Sequence, residues 1–189
     1  MLRPTLFTAC VAAVLAGCQP AAEQLAAKPM QEFVSQAGKF KVKMPGPPES
    51  QTHQFDEKIG PHRIKVAIAM HQVQARNEGY FVGVADIPNV PFLSAIETRQ
   101  LLEKSRDGAI ASSGSTLESS KSALLQGQYQ GLEFSAKMPP PPRGVADGQI
   151  RGRIYLVGSR LYQLYVGGAP ALVNDPRTAE FFDSFKVSE

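Results

Sequence analysis

The chain has 189 residues, 43% of them hydrophobic and 20% charged, with 20 lysines and arginines against 17 aspartates and glutamates. This charge is too even to suggest a nucleic-acid-binding protein or a polybasic membrane surface. With only two cysteines, the sequence also excludes a disulfide-rich or cysteine-metal scaffold.

The first element in chain order is a secretion signal, residues 1–17. Met1-Leu2-Arg3 is a short positive start, Leu6 to Leu15 is uncharged, and Ala16-Gly17 are the small residues of a cleavage site. About ten residues of helix rise about 15 Å, half of a roughly 30 Å hydrocarbon core. The segment is therefore predicted to be removed rather than to span a membrane.

The cleavage site Leu15-Ala16-Gly17-Cys18 resembles the bacterial lipobox, in which diacylglycerol is attached to the cysteine. The resemblance implies an envelope lipoprotein whose acylated Cys18 is held in a lipid bilayer by several acyl chains, such as palmitate. The alternative is an ordinary signal peptide that contains a cysteine. Gln19, rather than aspartate, follows Cys18, and by resemblance to Gram-negative sorting this favours the outer membrane, facing the periplasm.

Residues 18–32 are predicted to be the lipidated cysteine and a flexible tether, because Gln19 to Glu32 is rich in Ala, Gln and Pro. The single globular domain is predicted to occupy Phe33 to Glu189, long enough to build one core. Cys10 leaves with the signal and Cys18 carries lipid, so we expect no disulfide, thiol nucleophile or cysteine metal site in the domain.

Four strands are predicted next. Phe40 to Met44 alternates apolar and charged residues, Gln51 to Glu57 is a polar edge strand, and Ile64 to Met70 has an apolar face. Tyr80 to Ala85 is apolar at every position, which favours a central strand that is covered on both faces.

A long helix is predicted from Phe92 to about Ile110, with Pro91 in the first turn. Its propensity is good, but Arg99 and Glu103 interrupt the apolar side. Two strands follow, Thr116 to Leu125 and a run in which Leu132, Phe134, Ala136 and Met138 alternate with polar residues.

The clearest local signal is a hairpin from Ile150 to Gly167 around Gly158-Ser159, a pair suited to a type II′ turn. Its register would place Tyr155 opposite Tyr162, Leu156 opposite Leu161 and Ile154 opposite Gln163. A capped C-terminal helix follows Asn174-Asp175-Pro176, with core-facing spacing at Thr178, Phe181, Phe182 and Phe185. The predicted fold is α+β: a largely antiparallel sheet of six to eight strands, a long central helix and a short C-terminal helix.

Two segments carry a family resemblance. They are Tyr80 to Pro88 before the long helix, and Arg153 to Leu164 followed by Phe182 to Lys186. Together they resemble the PsbP-like α/β/α sandwich of many small uncharacterised bacterial envelope proteins, over roughly Gly38 to Val187. The namesake is an extrinsic accessory subunit of photosystem II, and the relatives are mostly binding or assembly factors. The resemblance therefore implies this architecture and an accessory role, without a cofactor.

No residue pattern indicates a metal or a catalytic site. His53, His62 and His71 lack metal-ligand spacing, with His62 expected opposite Glu57, and solvated strand histidines are the favoured interpretation. The serines from Ser112 to Ser122 form no nucleophile elbow, although a triad assembled by folding stays open. Asp86 is expected to cap a turn or pair with an arginine rather than to act in a site.

One surface is a candidate for partner binding: Arg151, Arg153 and Tyr155 share a strand face, and Tyr162 lies opposite Tyr155. The alternative is that a helix covers this face and the arginine stems pack along it. The run Pro139 to Pro142 is either a polyproline docking segment or, more often, a stiff loop.

The first hypothesis is therefore a non-enzymatic accessory lipoprotein that binds an envelope protein. The second is a carrier of a small apolar or amphipathic ligand, which needs a cavity of at least ~300 Å³. The third and least favoured is a hydrolase.

Overall fold

A computed structural model describes residues 28–59, 62–75, 78–87, 93–139 and 148–188, with only the backbone of 55–59 and 62–65. The predicted signal peptide, Cys18 and most of the tether lie outside these residues. So do Pro91 and the prolines from 140 to 142.

Seven antiparallel strands form the main sheet, in the order β3-β4-β5-β9-β8-β7-β6. The strands are β3 (Glu49–Ile59), β4 (His62–Ala75), β5 (Glu78–Asp86), β6 (Thr116–Leu125), β7 (Tyr129–Lys137), β8 (Gln149–Val157) and β9 (Arg160–Gly168). The polar strand β3 lies at one edge, as predicted. Strand β5 lies inside the sheet, and its Tyr80, Val82 and Val84 are buried.

The hairpin of β8 and β9 has the predicted register. Tyr155 pairs with Tyr162, Leu156 with Leu161 and Ile154 with Gln163. Gly158 has a φ of +59° while Ser159 keeps a negative φ, the combination that a type II′ turn requires. Glycine is needed here because a Cβ is strained at positive φ.

A second sheet of three strands was not predicted. It has the order β1-β2-β10, from β1 (Gln31–Ser35), β2 (Phe40–Met44) and β10 (Lys186–Val187). Strand pairing therefore begins at Gln31, inside the stretch assigned to the tether. The two-residue β10 is too short to show a periodicity, so its pairing with β2 is a tertiary contact that no local pattern indicates.

The described residues also form three helices: α1 (Ala95–Ser112), α2 (Pro170–Val173) and α3 (Pro176–Ser184). The predicted start of the long helix at Phe92 is wrong. Ser94 is the N-cap, and it forms a capping box with Glu97, so the helix begins at Ala95. The cap and first-turn proline of α3 are confirmed, since the Asp175 side chain accepts from the backbone N–H of Arg177.

The main sheet has two differently covered faces. We call the side that packs on the three-stranded sheet, α2 and α3 the aromatic face, and the side that packs on α1 the helix face. The predicted core positions of α3 all lie on the aromatic face, with Thr178, Phe181, Phe182 and Phe185 at most 2% exposed. The helix face has a smaller core, which includes Leu102, Leu132, Phe134 and Ile154.

Candidate binding groove

Helix α1 does not reach across the whole helix face. It packs on β7 and β8, and Leu102 is its one residue classed as buried. The edge strand β6 extends beyond it, and every β6 residue except Ala123 and Leu125 is exposed. The side of α1 and the uncovered part of the sheet therefore form the wall and floor of a groove.

The register of β6 and β7 decides which side chains face this groove. Ser122 pairs with Leu132 and Leu124 with Gln130, and paired residues of an antiparallel ladder point to the same face. Because Leu132 belongs to the core under α1, Ser122 and Leu124 also lie on the helix face. Leu124 is left 63% exposed because α1 does not reach it.

The groove has a volume of about 620 Å³. Its lining mixes apolar and polar groups and consists of Ala95, Arg99, Leu102, Ser122, Ala123, Leu124, Gln130, Gly131 and Leu132. On the helix, Ile96 stands next to the lining residue Ala95 and is 72% exposed. The groove is thus an open, largely apolar channel with a few hydrogen-bonding groups.

Two ionic contacts set the polarity of the α1 wall. Arg99 Nε lies 2.9 Å from Glu103 Oε1, so the two charges that interrupted the predicted apolar side pair with each other. Farther along, Arg106 donates to the Ser120 hydroxyl at 2.9 Å and to Asp107. Arg106 thereby ties α1 to β6 at one end, while the end near Leu124 stays open.

The four residues of the predicted partner patch are brought together, but not as an exposed surface. Tyr155 and Tyr162 are each 2% exposed, so the structure agrees with the alternative interpretation, in which a helix covers this face, and not with an accessible patch. Helix α3 covers this face: the guanidinium carbons of Arg151 and Arg153 lie 5.5 and 5.1 Å from the centre of the Phe182 ring. Strand periodicity shows which residues share a face, but not what lies on top of it.

Both arginines bind Glu133 on the neighbouring strand. Arg151 and Arg153 donate to its two carboxylate oxygens at 2.8 Å each, and Arg153 also donates to Asp183. Burial works to raise the pKa of the Glu133 carboxyl, but the two arginines outweigh it and hold that pKa below its usual value. This is a structural ion network that joins β7, β8 and α3.

Asp86 pairs with an arginine, as expected. Arg160 makes two hydrogen bonds to its carboxylate, at 2.7 and 3.0 Å, and hydrogen bonding by Arg160 is the main cause of a lowered Asp86 pKa. Arg160 also donates to the Ala37 carbonyl, and the Tyr162 hydroxyl donates to the Gly38 carbonyl. Through these two bonds, Arg160 and Tyr162 connect the turn between β1 and β2 to strand β9.

His71 differs from the solvated histidine of the sequence interpretation. Its ring is half-buried, with the rings of Phe33 and Phe40 centred 5.0 and 5.6 Å away. Burial lowers its pKa, and no charged group contributes to that shift. His71 Nδ1 lies 2.7 Å from the Ser50 hydroxyl. Among the described residues, no carboxylate hydrogen-bonds to His71 to orient it as the base is oriented in a Ser-His-Asp triad.

The other chemistry-bearing residues are not brought together. His53 and His71 lie on β3 and β4, whereas the serine run ends on β6, at least five strand spacings or about 24 Å away. His62 pairs with Ile59 rather than with the expected Glu57, so its predicted partner is wrong by two residues. In the described ranges, no three His, Cys, Asp or Glu side chains converge as metal ligands.

Sequence reasoning missed the groove. Leu124 and Leu125 are adjacent and equally apolar, yet Leu125 is 5% exposed and Leu124 is 63% exposed. The signal was the strand alternation itself, which sends neighbouring side chains to opposite faces. What the alternation does not contain is the length of sheet that α1 covers.

Comparison with known proteins supports the fold. The solution structure of cyanobacterial PsbP (CyanoP) from Synechocystis sp. PCC 6803 matches with a TM-score of 0.52 and 14% identity, covering 92% of this chain and 99% of that chain. The fold is PsbP-like. At this identity the likeness shows architecture alone.

Two further structures are more distant. One, from Bacteroides thetaiotaomicron, has a TM-score of 0.45 and 9% identity, over 84% of this chain and 48% of that chain. The other is a protein of unknown function from Pseudomonas aeruginosa, described as a putative regulator, with a TM-score of 0.41 and 10% identity, over 85% and 97%. No protein-family model and no curated protein matches the sequence. Among the described helices, none is long and apolar enough to cross a bilayer.

Proposed function

We propose that this protein is a lipid-anchored envelope lipoprotein that binds a protein partner in the groove between α1 and β6, without chemistry of its own. The anchor rests on the signal sequence and on Cys18. The binding role rests on one observation: an apolar channel of about 620 Å³ is left open beside an edge strand, with Leu124 63% exposed within it.

The openness of the groove favours a protein over a carried small molecule. Pockets for small ligands bury about 70–90% of the ligand surface. Here one wall is missing, because β6 is the last strand of the sheet and most of its residues are exposed. The volume does exceed the ~300 Å³ that a small ligand needs, so a carrier of an apolar or amphipathic ligand is the second candidate.

The lining indicates what the partner presents. The apolar part of the lining consists of Leu102, Leu124 and Leu132. Around it, Arg99, Ser122 and Gln130 carry groups that can form hydrogen bonds. The outer backbone of β6 has no neighbouring strand among the described residues. A partner segment that adds along β6 and inserts an apolar side chain beside Leu124 would use both features.

Crosslinking in intact envelopes tests the groove. A photoreactive amino acid replaces Gln130 in the full-length protein, and capture is compared between Leu124→Glu and the matched control Leu117→Glu. Leu117 is 40% exposed on the same strand but does not line the groove. We expect one discrete protein adduct that Leu124→Glu abolishes and Leu117→Glu keeps. Equal capture in both variants contradicts the proposal, and adducts with small molecules only would favour the carrier.

A separate experiment tests the anchor. Labelling with an alkyne-bearing palmitate should mark the wild-type protein and not the Cys18→Ser variant. The labelled protein should fractionate with the outer membrane. Recovery in inner-membrane fractions alone would overturn the sorting part of the proposal, and an unlabelled wild type would overturn lipidation.

A further inference from the structure

The three-stranded sheet turns one side away from the core. Its inward residues are buried: Phe40, Val42 and Met44 are at most 1% exposed. Alternation and the ladder registers place the next residues on the outer side, where Lys41 pairs with Val34 on β1 and with Lys186 on β10. We call the outer side, together with the exposed Lys39 in the turn just before β2, the lysine face. It consists of Glu32, Val34, Lys39, Lys41, Lys43 and Lys186.

The lysine face has an excess of positive charge. Lys41 is 3.2 Å from Glu32 and Lys43 is 2.7 Å from Glu180, so these two charges are balanced. Lys39 and Lys186 take part in none of the ion pairs within the described part of the chain. Between the lysines, Val34 is 50% exposed, so an apolar side chain protrudes from a cationic surface.

This face adjoins the point where the chain enters the domain. Lys28, the first described residue, comes ten positions after Cys18 and three before the first residue of β1. Ten residues span at most about 36 Å in any conformation. If Cys18 is lipidated, the strand that forms one side of the lysine face cannot leave the vicinity of the bilayer.

We propose that the lysine face docks on anionic phospholipid headgroups of the membrane that holds Cys18. The inference rests on the lipid anchor of the proposed function. Each lysine near an anionic surface contributes about 1 kcal/mol, which corresponds to about a fivefold change in the ratio of docked to undocked protein. That is too little to recruit a free protein from solution. It is enough to orient a domain that lipid already confines to the surface, and Val34 adds apolar contact.

Docking would also set the orientation of the groove relative to the membrane. The three-stranded sheet covers the aromatic face of the main sheet, whereas the groove lies on the helix face. A domain resting on its lysine face therefore presents Leu124 and the α1 wall away from the lipid, toward partners in the surrounding compartment.

The test uses the lipidated protein reconstituted in vesicles of phosphatidylcholine, with or without phosphatidylglycerol. A spin label is placed at Val34→Cys or, as the control on the opposite side, at Leu124→Cys. Flotation with the vesicles is measured first, and failure to float means that the anchor is wrong rather than the docking. For the protein that floats, electron paramagnetic resonance then measures how often the spin label collides with a water-soluble paramagnetic relaxation agent.

We expect the label at position 34 to be shielded in phosphatidylglycerol vesicles at low salt and accessible at high salt, where the attraction is screened. Lys39→Glu with Lys186→Glu should lower the docked ratio by about 25-fold or more, from about fivefold per lysine lost. Lys104→Glu, on α1, should not change it. The label at position 124 should stay accessible throughout. A floating protein whose two labels are equally accessible under all these conditions overturns the proposal.

Discussion

The two faces of the main sheet are covered in different ways. The aromatic face packs on a second sheet and two helices, and its large side chains, such as Phe40, Phe181 and Phe185, are at most 2% exposed. The helix face depends on α1, and its core is smaller, with Leu102, Phe134 and Ile154 among its buried residues. The difference indicates that the aromatic face provides most of the stability, while the incomplete cover of the helix face leaves room for binding.

The largest expected effect tests that division directly. Phe181→Ala removes a fully buried ring that stacks edge-on against Tyr80, and we expect a loss of about 3–5 kcal/mol in the free energy of unfolding. Leu102→Ala on the helix face is the comparison variant, with an expected loss toward the lower end of about 2–5 kcal/mol because the core on that face is smaller. Urea unfolding followed by circular dichroism measures both, and a greater loss for Leu102→Ala would reverse the comparison.

A smaller effect is expected at the start of α1. The Ser94 hydroxyl accepts a hydrogen bond from the Glu97 backbone N–H at 3.3 Å, and the Glu97 carboxylate accepts one from the Ser94 backbone N–H. Ser94→Ala should cost about 1 kcal/mol and raise hydrogen exchange in α1 more than in β5 or β9. Ser112→Ala, at the other end of the same helix, should stay within about 0.5 kcal/mol of wild type. Uniform exchange across the sheet and the helix would show that α1 does not open independently.

The smallest effect concerns pH on the aromatic face. Burial lowers the pKa of His71 below 6.5, so the unfolded chain binds more protons than the folded one as pH falls through that value. The stability that neutral His71 provides is therefore present above about pH 6.5 and lost below it. His71→Gln should flatten the dependence of unfolding free energy between about pH 8 and about pH 5.5. A His71→Gln variant that keeps the wild-type slope over this range would reject this role.

The local elements could be predicted because their information is local. Strands β2 and β6 have the predicted bounds, and the β8–β9 register followed from the Gly158-Ser159 turn. The start of α1 was misplaced because the prediction followed Pro91, whereas the capping pair of Ser94 and Glu97 sets the first turn. The second sheet was missed because β10 has two residues, and its pairing depends on residues more than a hundred positions away.

The candidate site was less predictable for a similar reason. Arg151, Arg153, Tyr155 and Tyr162 do share a face, as predicted, but α3 returns over that face and buries the two tyrosines. Conversely, the sequence around Leu124 does not distinguish it from a core leucine, because its exposure depends on how much of the sheet α1 covers. Whether a strand residue is exposed depends on what packs over that face of the sheet, whereas alternation shows only to which face the residue points.

By itself, the sequence determined the order of most strands and helices, the PsbP-like architecture and the expectation of a lipid anchor at Cys18. The even charge of the whole chain indicated no membrane surface, yet the three-stranded sheet gathers Lys41, Lys43 and Lys186 on one side, and the exposed Lys39 precedes β2. Only the tertiary structure decided this clustering and the open groove on the opposite side. The physical reason is that composition averages charge over the chain, whereas binding depends on the side chains that distant strands bring to one surface.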